Sequence, residues 1–174
     1  MKKTRVLLIV LMAMTLIPAL TLAGSATYSN ADPAFTVTYP GDWEKKPLQG
    51  SDVLRVAKPG PYGIPVLNVT VADKKPDAKP LHKAGKTFMK AVQKTSPGSK
   101  RFKLLSEKVI TLSGGTKAMA ITYKWSFDEV TKLQSASVMV YKGEKAISLT
   151  GTTILGGETT PDKLLEMCQQ IQFK

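Results

Sequence analysis

Covalent catalysis and metal binding lean on cysteine and histidine, and this chain has one of each among its 174 residues. A single cysteine cannot close an internal disulfide, and it excludes any multi-cysteine zinc or iron–sulfur site. Cys168 falls between Leu164 and Ile171 on the apolar stripe of the last expected helix, where a thiol serves as a small buried hydrophobe. A nucleophilic thiol needs a neighbouring base or a helix N-terminus, and the sequence supplies neither. His82 has no companion ligand for a metal and no nearby carboxylate or nucleophile to work with. The closest acid before it, Asp77, lies beyond Pro80.

Acids are also scarce, with 13 Asp and Glu against 25 Lys and Arg. The close acidic pairs, Asp42 with Glu44 and Asp128 with Glu129, fall at expected turns and lack the spacing of a calcium loop. Two carboxylates that converge in space for glycoside hydrolysis stay open at this level. The paired glycines lack dinucleotide-fold or Walker spacing, and no Gly-x-Ser-x-Gly elbow occurs. The expectation is no cofactor, no metal and no catalytic residue.

Long hydrophobic runs are absent except at the start. Lys2, Lys3 and Arg5 precede an apolar run from Val6 to Leu22, followed by the small residues Ala23, Gly24, Ser25 and Ala26. That order is an export signal. The expected organisation is a signal peptide over 1–26, a polar lead-in over 27–34 and one domain over 35–174. Cleavage after Ala23 or Ala31 is the alternative, and so is an uncleaved N-terminal membrane anchor. No cysteine stands at the small-residue segment for lipoprotein attachment. Loss of the leader lowers the net charge from +12 to +9. The remaining domain is long enough to bury a core without disulfides or metal.

In the mature segment, Phe35, Val37 and Tyr39 alternate with Thr36 and Thr38, and Pro40-Gly41-Asp42 then turns the chain toward Trp43. This reads as the opening strand and corner of a sheet. Short strands follow over 53–57 and 66–72. A helix is expected from Leu81 to Thr95, its stripe made by Leu81, Ala84, Gly85, Phe88 and Val92. An antiparallel meander comes next, over 102–112, 117–127, 132–141 and 146–154, its first hairpin turning at Gly114-Gly115. The last helix is signalled by Thr160 as N-cap, Pro161 in the first turn and Asp162, with Leu164, Leu165, Cys168 and Ile171 as its buried stripe. In the strand over 117–127, Met119, Ile121, Tyr123, Trp125 and Phe127 make one face. The other face carries Ala118, Ala120, Thr122 and Ser126 with Lys124 as its one charge, small enough to suggest that it too is partly covered. The expected fold is α+β, an antiparallel β-sheet flanked by helices in an α/β/α sandwich.

A Phe-x-Val-x-Tyr-Pro-x-x-Trp strand behind an export signal resembles the PsbP-like superfamily, which includes bacterial exported PsbP/DcrB-like proteins. Asn68 to Val71, the mid-chain helix, the meander and the closing Ile-x-Phe match the same pattern, so the resemblance spans Phe35 to Phe173. It implies a sheet between helices and a non-enzymatic accessory or binding role, and it maps no site residue onto this chain.

Two candidate sites come from the residues themselves. Lys79, Lys83, Lys86, Lys90 and Lys94 step along one face of the expected helix, with Lys100, Arg101 and Lys103 beyond. Such a stripe suits an anionic membrane surface or an acidic envelope protein, and it equally describes a solvated helix face. Nucleic acid is excluded as a partner, because export removes the target and no aromatics interleave the lysines. The second candidate is a pocket lined by Tyr39, Trp43, Tyr123 and Trp125, which would make the protein a small-ligand binder or an enzyme; the bland reading is core packing.

Overall fold

The computed structural model describes residues 24–60, 62–75, 78, 80–95, 100–126 and 128–174. The expected leader over 1–23, together with Lys79 and Phe127, lies outside the described residues. Among these residues ten strands form two antiparallel sheets, and two helices pack on them.

The large sheet has seven strands. These are β3 (Glu44–Lys45), β4 (Asp52–Ala57), β5 (Val66–Asp73), β6 (Lys100–Thr111), β7 (Lys117–Ser126), β8 (Lys132–Lys142) and β9 (Lys145–Ile154). They lie in the order β3-β4-β5-β9-β8-β7-β6. The meander read from sequence is the β6–β9 half. Its turns follow the glycines: Gly114, Gly115 and Gly143 all have positive φ, which an L side chain rarely adopts. Alternation within β7 sorts two cores. Ala118 and Ala120 face one, and Met119, Ile121 and Tyr123 face the other.

A smaller sheet, β1-β2-β10, combines β1 (Ser25–Asn30), β2 (Phe35–Pro40) and β10 (Ile171–Phe173). Three expectations change here. The polar lead-in is a strand: Ser25 through Asn30 pair residue by residue with Pro40 back to Phe35, and Ala26 and Tyr28 pack on the core. The opening strand Phe35–Tyr39 does not start the large sheet but runs down the middle of the small one. Ile171 is not the last turn of a helix. The helix stops at Cys168, and Ile171 and Phe173 pair with Val37 and Phe35. Ile171 sits three residues after Cys168, a spacing that serves a helical stripe and a following strand equally.

Helix α2 (Pro161–Cys168) begins as its sequence dictates, with Thr160 Oγ1 accepting from the Lys163 N–H at 3.3 Å. It packs with the small sheet on the face of the large sheet that shows Ala118 and Ala120, and Leu164, Cys168 and Ile171 are fully buried there. The mid-chain helix starts as a 3₁₀ turn over Leu81–Lys83 before α1 (Gly85–Thr95). Together they cover Met119, Ile121, Tyr123 and Met139 on the opposite face. The helical layers of an α/β/α sandwich therefore do not form. One face is covered by a second sheet plus a helix, while on the other α1 packs toward β6 and β7 and leaves the surface of β5 and β9 largely without a lid.

The small residues Ala118 and Ala120 read in sequence lie buried on the other face, under α2 and the small sheet; on the α1 face, hydroxyls meet across strands. Thr70 pairs with Ser148 at 2.7 Å, Ser137 with Thr150 at 2.8 Å and Ser135 with Thr152 at 2.9 Å, hydroxyl to hydroxyl across strands. Ser135 and Ser137 are fully buried and the other four half-buried, and each hydroxyl finds its partner on the neighbouring strand.

Candidate functional site: the surroundings of helix α1

The α1 lysines are placed by helical stepping. Lys86, Lys90 and Lys94 recur at four residues, with Lys83 three before Lys86, and all four are exposed. The ion pairs among the described residues are Lys46–Glu44 at 2.7 Å and Lys145–Asp73 at 2.6 Å. None of the four helix lysines is therefore neutralised by a described carboxylate. Lys103, Lys108 and Arg101 of the neighbouring edge strand β6 are exposed as well.

Beneath the start of this face, a hollow of about 410 Å³ is bordered by His82, Lys83, Lys86, Glu107 and Lys108. Glu107 is its carboxylate, and it packs tightly against Gly85 at the first turn of α1, in space that any Cβ there would fill. A carboxylate at this place meets the positive end of the helix. His82 is exposed, and no group of three metal-ligating side chains occurs among the described residues. Three lysines against one carboxylate give the hollow the charges of an anion-attracting surface.

The aromatic quartet is not brought together. Tyr39 is buried in, and Trp43 packs half-buried against, the core under α2, whereas Tyr123 and Trp125 belong to the core on the opposite face of the large sheet. The sheet itself separates the two pairs. Tyr123 is 2% exposed, and Trp125 donates its Nε1–H to Ser135 Oγ at 3.1 Å with Phe102 stacked on its ring at 5.6 Å. These rings pack into two cores on opposite faces of the sheet and line no common pocket among the described residues. Cys168 is likewise buried; burial pushes its thiol up to about 12, the opposite of a reactive cysteine.

A groove of about 540 Å³ on the other flank of α1 escaped the sequence reading. Ala84, Phe88 and Ala91 of the helix form one wall of it, and Ala72, Tyr141 and Ala146 of the sheet line it with them. The helical residues step by three and four, so they form one stripe roughly 10 Å long. At the groove's mouth Lys74 lies over the Tyr141 ring, 5.5 Å from its centroid, and Lys75 lies beside it. Small residues at 72, 84, 91 and 146 were the available signal, but only the packing brings four distant alanines to one place.

The fold is PsbP-like. The solution structure of cyanobacterial PsbP (CyanoP) from Synechocystis sp. PCC 6803 superposes with a TM-score of 0.69 at 16% identity, over 90% of this chain and 96% of that one. A crystal structure from Bacteroides thetaiotaomicron VPI-5482 gives 0.56 at 12% identity, over 87% of this chain, which spans about half (49%) of that longer one. No protein-family model and no curated protein sequence matches the chain. Identities this low define the fold and assign no activity.

Proposed function

We infer that this is an exported, non-enzymatic accessory protein of the cell envelope, periplasmic or secreted, that docks on an anionic surface through α1. The observation that carries the reading is the row Lys83, Lys86, Lys90 and Lys94, exposed and without a described ion-pair partner. Juxtaposed cations near an anionic bilayer contribute roughly 1 kcal/mol each, enough in sum for reversible attachment. Among the described residues no helix is long and apolar enough to cross a membrane, so attachment by this domain would be peripheral.

Export fits the charged, apolar and small-residue order of the first segment, and β1 favours one cleavage position. Cutting after Ala26 removes two residues that pair with Pro40 and Tyr39, and cutting after Ala31 removes β1 entirely. Cutting after Ala23 leaves the strand whole. Gly24 also stays to accept a hydrogen bond from the Gly41 N–H.

The test compares flotation with vesicles of phosphatidylcholine alone and with phosphatidylglycerol added, at low ionic strength. Attachment only to the anionic vesicles supports the reading; equal attachment to both, or to neither, contradicts membrane docking. In the last case an acidic envelope protein becomes the partner to seek by pull-down. The small-ligand reading moves to the α1 groove, since the four aromatic rings lie on two faces of the large sheet.

A further inference from the structure

We propose that the groove between α1 and the β5–β9–β8 surface binds a single-chain anionic amphiphile, a long-chain fatty acid, with its hydrocarbon under the helix and its carboxylate at Lys74. Its volume, about 540 Å³, falls in the range of small-molecule sites, and apolar atoms dominate its lining. The floor ends on Thr70 and Ser148, whose hydroxyls bond each other at 2.7 Å, one donating to the other.

Charge sets the polarity of the occupant. Asp73 borders the mouth, but Lys145 binds its carboxylate at 2.6 Å, which leaves Lys74 and Lys75 without an ion-pair partner among the described residues. The ammonium of Lys74 is already held over the Tyr141 ring, at the boundary between apolar floor and solvent. That is where the head group of a fatty acid would emerge. Burial also raises the Tyr141 pKa, so its hydroxyl remains a neutral donor near the same head group. A neutral alcohol of equal length would bury the same hydrocarbon without meeting either cation.

This inference goes beyond surface docking and stands without it, because the groove residues and the exposed lysine row occupy different sides of α1. Binding of dansyl-undecanoic acid to the full mature chain, displaced by palmitate or by hexadecanol, reads the site directly. The expected result is saturable one-to-one binding that palmitate displaces more strongly than hexadecanol. Ala146→Phe, which fills the floor, should weaken probe binding by at least about tenfold, the equivalent of losing a few buried methylenes. Lys74→Glu should remove the preference for palmitate, and Lys163→Glu, exposed on α2 across the sheet from the groove, should leave probe binding unchanged. If Ala146→Phe lowers the melting temperature, Ala72→Phe at the edge of the same floor replaces it. Absence of saturable binding overturns the proposal, as does undiminished binding by a groove-filled variant with an unchanged melting temperature. Failure of vesicle flotation with these results intact would remove the docking function and leave the groove's ligand standing.

Discussion

Phe35 and Trp43 stand at either end of one strand and turn, yet they carry different weights. Phe35 is 0% exposed between Tyr28 and Phe173, with ring centroids 6.4 and 6.1 Å away, while Trp43 is half-buried against the same core. Phe35→Ala should cost about 3–5 kcal/mol. Trp43→Ala should cost about 2 kcal/mol, in proportion to the smaller area it hides. Urea denaturation of the two variants checks the order; equal losses would place Trp43 deeper than its exposure indicates. Cys168 gives a pH-dependent prediction. Its folded pKa, near 12, lies above its ordinary value of about 9. The stability it contributes is complete below pH 9 and is lost as pH rises toward 12, because only the unfolded thiol ionises easily. Tyr123 is also raised by burial and adds a fall of its own, so the informative quantity is the difference from Cys168→Ala, whose stability should decline less steeply above pH 9. Parallel curves would contradict the burial of the thiol. In the native protein, thiol reagents at pH 8 should label Cys168 only at the rate of unfolding.

At the scale of elements, α2 approaches the sheet closely because Gly151 lies beneath it. A Cβ at Gly151 would sit 3.0 Å from Leu164 Cδ2 and 3.6 Å from Cys168 Sγ. Gly151→Val should therefore lift the helix and destabilise the fold by about 1–3 kcal/mol. Thermal melts of Gly151→Val and Gly151→Ala test this, and a neutral valine would mean the contact is loose. Local signals made α2 legible: cap, proline and acid lie within three residues and act on one helix end. The meander was legible for a similar reason, since its alternation and glycine turns are short-range. The small sheet was not legible. β1 is polar on alternate positions and hides only Ala26 and Tyr28 partly, and β10 is three residues that continue a helical spacing. Both become strands because β2, between them, offers two unpaired edges. That is a tertiary cause, invisible to windows of sequence.

For the whole molecule, the arrangement of covers matters more than their number. One face of the large sheet is closed by α2 and the small sheet, and the other is closed at one side by α1. The off-centre helix turns its lysines outward and leaves a groove at its flank. The lysine row was readable from helical stepping alone, whereas the aromatic quartet misled because alternation does not say which sheet a strand joins. A competing account assigns the cations to solubility, since β6 is a twelve-residue edge strand with Leu104, Leu105 and Val109 exposed. Lysines on and beside such an edge oppose pairing with a second chain. The two accounts differ in what salt does to attachment. The most direct measurement is cosedimentation of the mature protein with phosphatidylglycerol-containing vesicles over a salt series, with and without Lys83→Glu, Lys86→Glu and Lys90→Glu combined. Docking through α1 predicts affinity that falls steeply with salt and drops on the order of a hundredfold or more in the folded triple variant. Attachment that ignores both salt and charge reversal, or a wild-type chain that never sediments with the vesicles, would contradict it.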